Sequence, residues 1–262
     1  MTFPIYQLDA FTSNLFGGNP AAVMPLESWL ADDKLQSIAA ENNLAETAYF
    51  IADSGEADFN LRWFTPTKEM DLCGHATLAS AHVIFHQLGW EKDEVLFSTL
   101  SGILRVSRSS EGLTLDFPSR PPELNEPSQA LLASLGIKDY LYAGYARDWL
   151  IEVSSEAEVQ TMTPDFRALA NETQRAVIVT AAGDKVDFVS RFFAPEYGMD
   201  EDPVTGSAHC TLVPFWAEKL AKNTLNARQV SARGGELLCH IEAGRVFMTG
   251  QCVVFLQGEV FL

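Results

Sequence analysis

Two short segments place a glycine at the start of a predicted helix, and both could bind an anion. They are Cys73-Gly74-His75 and Thr205-Gly206-Ser207. A helix N-terminus carries unpaired amide donors and a partial positive charge, and a glycine lets a ligand come close to the backbone. A tight turn into a buried helix would give the same sequence. Because the pattern occurs twice, we favour the anion site and expect a small carboxylate as its ligand.

Glu46 is the candidate reactive group beside such a site. It lies in N-N-L-A-E-T-A-Y-F, where a polar helix end changes to an apolar strand. A carboxyl group held against apolar neighbours is shifted towards its neutral form, which suits general acid/base catalysis. On these residues alone, a glutamate at an exposed strand edge would be the stronger interpretation.

Three further residues are candidates for the same site. Asp202 comes three residues before Thr205, and because aspartate before proline forms turns, a turn and a catalytic role are equally supported. His75 could donate to an anionic substrate or simply begin its helix, and Ser207 has the same two interpretations. Cys73 and Thr205 occupy equivalent positions, so the sequence lacks the two thiols that would act on opposite faces of a carbon atom.

Metal and nucleotide sites are weakly supported. His75, His82 and His86 lie close in sequence, but no glutamate completes an H-E-x-x-H pattern, so we predict no metal site. No phosphate-binding or dinucleotide motif occurs, and Gly17-Gly18-Asn19-Pro20 is interpreted as a turn. We therefore expect no cofactor.

An internal duplication indicates how the candidate residues are positioned. Two ten-residue segments have Arg, Phe, Pro, Met and Asp at the same positions: R-W-F-T-P-T-K-E-M-D (62–71) and R-F-F-A-P-E-Y-G-M-D (191–200). Each segment is followed by one of the glycine segments, and in the second copy three more residues lie between the two. A proline-rich stretch at 117–126 marks a boundary. We predict an α+β protein of two similar domains, 1–118 and 119–262, whose last strand could return to the first half.

Each domain is predicted to wrap a curved, mostly antiparallel sheet around one central helix, with the two helix starts facing each other across a cleft. The central helices are apolar on nearly every face, which predicts that protein encloses them. The predicted helices are Ser28–Glu41 with Ser28 as N-cap, Ala76–Leu88, Asp165–Asn171 and Ser207–Lys222.

Charge and composition exclude several classes of partner. The 18 basic and 35 acidic residues give a net charge of −17, which repels nucleic acids and anionic membranes. No apolar run approaches the length of a membrane span, and the first basic residue is Lys34, so we predict a cytoplasmic protein without a secretory signal. Four widely spaced cysteines predict no disulfide framework.

The sequence resembles the PhzF family, the phenazine biosynthesis-like isomerases related to diaminopimelate epimerase. The resemblance covers essentially the whole chain and rests on four motifs: G-G-N-P-A-A-V after Phe16, N-L-A-E-T-A-Y-F around Glu46, D-L-C-G-H-A-T-L-A from Asp71, and D-P-V-T-G-S-A-H from Asp202.

The resemblance implies a paired-barrel fold, a homodimer, no cofactor, and an isomerisation in which Glu46 moves a proton between carbons of a small carboxylate-bearing substrate. His75, Asp202 and Ser207 match the family's other site positions. Ala45 departs from the family, in which serine commonly precedes the glutamate. This departure bears on which substrate is bound and not on the type of reaction. The alternatives are an amino-acid epimerase or racemase, a metal-assisted enzyme, and a non-catalytic protein that binds a small molecule.

Overall fold

The computed structural model describes residues 1–262, which divide into two compact units. Unit 1 comprises residues 1–116 and 249–262, and unit 2 comprises residues 117–248. The first part of the chain forms β1 (Thr2–Ala10), β2 (Asn19–Pro25), α1 (Asp32–Asn42), β3 (Glu46–Ala52), β4 (Phe59–Phe64), β5 (Glu69–Met70), α2 (Gly74–His86), β6 (Glu94–Thr99), β7 (Gly102–Ser109) and β8 (Gly112–Pro118).

The second part of the chain forms unit 2 and then returns to unit 1. Its elements are β9 (Glu123–Leu124), α3 (Gln129–Leu135), β10 (Tyr142–Tyr145), β11 (Trp149–Glu152), α4 (Glu156–Thr161), α5 (Phe166–Glu172), β12 (Val177–Ala182), β13 (Phe188–Ala194), β14 (Met199–Asp202), α6 (Gly206–Leu220), β15 (Thr224–Gln229), β16 (Gly235–Glu242), β17 (Arg245–Gly250) and β18 (Cys252–Phe261). None of the helices is long and apolar enough to cross a membrane.

The two units repeat one strand arrangement. In unit 1, the pairs β1–β2, β2–β3, β3–β4, β4–β6 and β6–β7 are antiparallel, parallel, antiparallel, parallel and antiparallel in turn. In unit 2, the pairs β10–β11, β11–β12, β12–β13, β13–β15 and β15–β16 follow the same order of directions. Strand β18 pairs with β1 and completes unit 1.

Each unit contains one helix that is buried along most of its length, as the apolar pattern predicts. Eleven of the 13 residues of α2 are buried, and the helix lies against β1, β2, β3 and β18. Helix α6 packs against β15 and β16, and its Trp216 donates to Thr180 Oγ1 on β12 at 2.9 Å. A helix with no polar face is stable in water only when other elements cover it on most sides.

The duplicated segment forms the same hairpin in both units, and the hairpin revises our alignment of the two halves. Arg62 binds both carboxylate oxygens of Glu69 at 2.7 and 2.8 Å, and Arg191 binds Glu201 at the same two distances. Glu69 and Glu201 each lie four residues before a helix-start residue, Cys73 or Thr205. The three additional residues of the second copy therefore lie within its hairpin turn, and not between the hairpin and α6.

Two local predictions were wrong. Helix α1 begins at Asp32 and not near Ser28, and Ala31 occupies its N-cap without a side-chain hydrogen bond. Two acidic residues in its first turn, Asp32 and Asp33, favour this start because they lie at the positive end of the helix dipole. Strand β2 begins in the Gly-Gly-Asn-Pro segment that we interpreted only as a turn.

The turn before β2 depends on a glycine at position 18. Gly18 has a φ of +61°, and a Cβ placed on it would lie 2.1 Å from the carbonyl oxygen of Ala10. Gly89 has a similar φ of +69°, but a Cβ there would have nothing within 4 Å. Comparison of Gly18 with Gly89 therefore separates two destabilising effects of a side chain, the strain of a left-handed backbone and the collision with a neighbouring atom.

We predict that Gly18→Ala lowers the free energy of unfolding much more than Gly89→Ala. The Gly89 variant should lose about 1 to 2 kcal/mol because a left-handed backbone disfavours alanine. The Gly18 variant adds a collision with rigid backbone, so its loss should exceed about 4 kcal/mol. Urea unfolding of both variants measures the difference, and equal losses would contradict the assigned role of the turn.

Candidate active site

Glu46 lies at a junction between a helix and a buried strand. Helix α1 ends at Asn42, the left-handed backbone of its C-cap Asn43 turns the chain towards β3, and Glu46 is the first residue of that strand. It pairs with Ala21 on the parallel strand β2, and only 8% of its surface is exposed. Glu46 is therefore buried, and the alternative of a glutamate at an exposed strand edge is wrong.

His75 is the nearest ionisable partner of Glu46. It is the second residue of α2, is 3% exposed, and its Nε2 lies 3.1 Å from Glu46 Oε2. The two atoms are not aligned as a hydrogen bond, and neither has another hydrogen-bond partner. Burial by itself lowers the pKa of His75, but its interactions with Cys73 and Glu46 outweigh burial and hold that pKa well above its usual value.

Cys73 completes a group of three side chains but is a poor nucleophile. Its Sγ lies 3.6 Å from His75 Nδ1. Burial, and secondarily the charge of Glu46, raises the pKa of the Cys73 thiol to about 11. Because the thiolate is the reactive form of cysteine, a buried thiol with this pKa is inert near neutral pH.

The same three side chains are the one group that could hold a metal ion. Ligand atoms of Glu46, Cys73 and His75 lie within 4.8 Å of one another. Three protein ligands and an open position suit a catalytic zinc ion. Of the three histidines behind our metal-assisted alternative, only His75 belongs to this group. His82 and His86 stack at 4.2 Å, and burial together with His86 lowers the pKa of His82 to about 4.

Sequence reasoning missed Asn19 as a residue of this site. Asn19 begins β2, is fully buried, and its Nδ2 lies 3.1 Å from His75 Nδ1. A fully buried amide requires hydrogen-bond partners, so an asparagine in an otherwise apolar strand is the signal that could have revealed it. Our interpretation of the segment as a turn alone overlooked this requirement.

The candidate residues of unit 2 form a second polar group. Thr205 Oγ1 donates to Asp202 Oδ2 at 2.5 Å, and both residues are buried. Gln229 on β15, which sequence reasoning also missed, accepts from the Thr205 amide at 2.9 Å and donates to the Asp202 carbonyl at 2.6 Å. The segment before α6 is thus fixed by a buried glutamine that lies 24 residues further along the chain.

The two helix starts share a local design. Neither Cys73 nor Thr205 caps its helix with a side chain, and neither first turn contains an acidic residue, so these features leave the amide donors available to a ligand. Gly74 and Gly206 have no positive φ, so their conformations alone do not require glycine. Their contribution is the absence of a side chain. Ser207, the residue equivalent to His75, is half-buried.

Residues one turn further along each helix contribute to the same design. Thr77 in α2 and His209 in α6 both donate to the carbonyl four residues earlier, which belongs to Cys73 and Thr205 respectively. Burial lowers the pKa of His209 to about 4, so this ring is neutral and serves as a structural donor. Four predicted residues thus meet in unit 1 and four in unit 2: Glu46, Cys73, Gly74 and His75, and Asp202, Thr205, Gly206 and Ser207.

Comparisons with known proteins agree with this fold and these motifs. The chain is 49% identical to an uncharacterized isomerase of Pseudomonas aeruginosa, over the full length of both. A PhzF-family crystal structure from Enterococcus faecalis matches with a TM-score of 0.95 and 45% identity over the whole of both chains. The crystal structure of a probable proline racemase from Agrobacterium radiobacter (TM-score 0.67, 11% identity, covering 99% of this chain and 93% of that one) shares the epimerase-like fold. The family model for phenazine biosynthesis-like proteins matches residues 8–258, and the chain therefore belongs to the PhzC-PhzF family.

Proposed function

We propose that this protein is an isomerase that needs no cofactor and moves a proton between carbons of a small carboxylate-bearing substrate. The observation that carries the proposal is the buried contact between Glu46 and His75, in which Glu46 Oε2 has no hydrogen-bond partner. A buried carboxylate oxygen without a partner can accept a proton from a substrate. The names of relatives as uncharacterized isomerases support the same reaction class.

In the proposed reaction, Glu46 removes a proton from one carbon of the substrate and becomes a neutral carboxylic acid. The electron pair of the broken C–H bond moves into the adjacent unsaturated system, and Glu46 returns the proton to a second carbon. No oxidant or reductant is consumed. His75 lies beside Glu46 and supplies a positive or hydrogen-bonding group next to the carboxylate.

The substrate carboxylate is proposed to bind to the amides at the helix starts. Gly74 and His75 supply such amides in unit 1, and Gly206 and Ser207 supply them in unit 2. Asp202, which accepts from Thr205, stays a predicted catalytic residue. That both helix starts act on one substrate also stays a prediction.

One of the alternatives keeps support from the structure, and one is disfavoured. The group of Glu46, Cys73 and His75 favours a metal-assisted reaction as the second candidate, and metal analysis of the purified protein distinguishes it. An epimerase that uses two thiols is disfavoured because Thr205 occupies the position equivalent to Cys73. The homodimer that the resemblance implies stays a prediction.

We predict that Glu46→Gln abolishes proton transfer while the fold is kept. Glutamine preserves the volume of the side chain but cannot exchange a proton, and general acid/base groups contribute about 10² to 10⁴ in rate. The measurement is deuterium uptake from solvent into carbon positions of candidate cyclic and amino-acid-like carboxylates. Glu41→Gln, on the exposed end of α1, is the matched control and should retain full activity. Wild-type exchange rates in the Glu46 variant would refute the assignment.

Cys73→Ser should cost much less activity than Glu46→Gln. The thiol is protonated near neutral pH and position 205 holds a threonine in place of a second thiol, so serine replaces it with a neutral group of nearly the same shape. Deuterium exchange of the purified variant measures the cost, which we expect to stay below about 10-fold, well under the contribution of an acid/base group. Complete loss of exchange in a folded Ser variant would instead support thiol chemistry.

Replacement of Gly206 should weaken substrate binding more than it weakens folding. A side chain at this position would obstruct the amides of the first turn, whereas the helical backbone itself accepts other residues. We expect Gly206→Val to raise KM by about 10- to 100-fold, the value of one hydrogen bond to a charged group, and Gly206→Ala to have a smaller effect. Thermal unfolding of both variants provides the control, and unchanged KM values would exclude this helix start from the site.

A further inference from the structure

A serine in one hairpin turn of each unit binds the backbone just before the helix start. In unit 1, Ser101 in the β6–β7 turn donates from its Oγ to the carbonyl of Asp71 at 2.7 Å. In unit 2, Ser231 in the β15–β16 turn donates from its Oγ to the carbonyl of Pro203 at 2.9 Å. Each acceptor lies three residues before the first residue of its helix. The two bonds therefore hold the same point of the duplicated structure.

Strand pairing shows that the two serines are equivalent. Phe97 on β6 and Ala227 on β15 each pair with the first residue of a parallel strand, β4 or β13. Ser101 and Ser231 each lie four residues further along the chain. The turns themselves differ, because two residues separate the last paired residues of β6 and β7, whereas five separate those of β15 and β16. The bond is thus kept in two turns of different length.

The segment that receives this bond is also held at the helix itself. The carbonyls of Cys73 and Thr205 accept from Thr77 and His209, one turn along α2 and α6. Each three-residue segment, 71–73 or 203–205, is therefore held at both of its ends. The first amides of a helix have no acceptor within the helix, so their direction depends on the backbone that leads into it.

We propose that Ser101 and Ser231 are positioning residues, which fix the backbone before each helix start and thereby aim the first-turn amides at the substrate carboxylate. The role of these amides in binding a substrate rests on the proposed function. The hydrogen bonds and their effect on the backbone do not.

The helix start of unit 1 has a second feature that indicates a ligand. Glu46, which is 8% exposed, lies beside the first turn of α2 through its contact with His75. Its Oε2 atom is buried and has no hydrogen-bond partner. A buried acceptor without a partner is costly unless a ligand uses it, so the exact position of this helix start matters to the proposed site.

Unit 1 depends on its serine more than unit 2 does. In unit 2, Gln229 lies two residues before Ser231 and binds the same segment through its own amide group. The equivalent residue of unit 1 is Thr99, whose Oγ1 donates to the carbonyl of Gly102 at 2.7 Å, within its own turn. Loss of Ser101 should therefore release the segment before α2 more than loss of Ser231 releases the segment before α6.

Hydrogen–deuterium exchange followed by mass spectrometry tests the two bonds without a substrate. Ser101→Ala should speed amide exchange in residues 71–76 by about 2- to 10-fold, the value of one hydrogen bond, and leave residues 203–208 unchanged. Ser231→Ala should speed exchange in residues 203–208 by a smaller factor. Unchanged exchange of residues 71–76 in Ser101→Ala would overturn the proposal.

Two further variants serve as controls. Ser110→Ala removes an exposed serine from the next hairpin turn of unit 1 and should change exchange in neither segment. Ser101→Thr keeps the hydroxyl group and should restore the wild-type exchange of residues 71–76. Neither Ser101 nor Ser110 has a positive φ, so the backbone accepts these replacements.

Kinetics test the positioning role. In the deuterium-exchange assay with the cyclic and amino-acid-like carboxylates, Ser101→Ala should raise KM by about 2- to 10-fold and change kcat less than about twofold. This division is expected because the carboxylate is bound equally before and during proton transfer. Ser101→Thr should restore KM, and the melting temperatures of both variants should match the wild type because Ser101 is exposed.

The possible failures are distinguishable. Faster amide exchange with an unchanged KM in Ser101→Ala would overturn the positioning role, as would a raised KM that Ser101→Thr does not restore. If the wild type exchanged no proton with any carboxylate tested, the proposed function would fail. Amide exchange would still decide whether the serines fix the helix starts.

Discussion

The contact between Glu46 and His75 is the constraint on which much of unit 1 depends. Removing an ionised carboxylate from water is expensive, and the cost is offset only when a group of opposite charge or a hydrogen-bond donor lies close by. Two distant segments must therefore meet: the start of β3, which carries Glu46, and the start of α2, which carries His75. Their 3.1 Å separation exists because the sheet curves around α2 and covers the helix start.

Duplication explains how a fold can support such a contact. Both units repeat the same strand directions, the same bidentate Arg–Glu pair and a glycine at the start of the buried helix. The copies differ at the residues of the proposed site. Where unit 1 has Cys73 and His75, unit 2 has Thr205 and Ser207, so hydroxyl groups replace the thiol and the imidazole at these two positions. The common scaffold is therefore separable from the reactive group it carries.

Sequence patterns predicted the parts of the structure that follow from local rules. The apolar helices, the duplicated hairpin and the glycine helix starts each have a local signature, and the structure contains all of them. The hydrogen-bond partners of Asn19 and Gln229 could not be found in this way. Their roles depend on partners 56 and 24 residues away, and a single sequence gives no measure of which buried amide faces which donor. Our alignment of the two halves failed to match Glu69 with Glu201 for the same reason. Their equivalence follows from the pairing of the strands in each hairpin, which identical residue types alone do not reveal.

The net charge of −17 and an anionic substrate are compatible because the two act over different distances. Charges on an exposed surface are screened beyond about 8 Å at physiological ionic strength. Amide donors at a helix start act at contact distance, and burial of the neighbouring groups lowers the local dielectric response, which strengthens each such contact. Only the acidic residues within the two polar groups, Glu46 and Asp202, lie close enough to act on a substrate at the helix starts in the proposed reaction. Glu46 faces His75 and Asp202 accepts from Thr205, so each carboxylate next to a helix start already has a partner that limits its repulsion of a bound carboxylate.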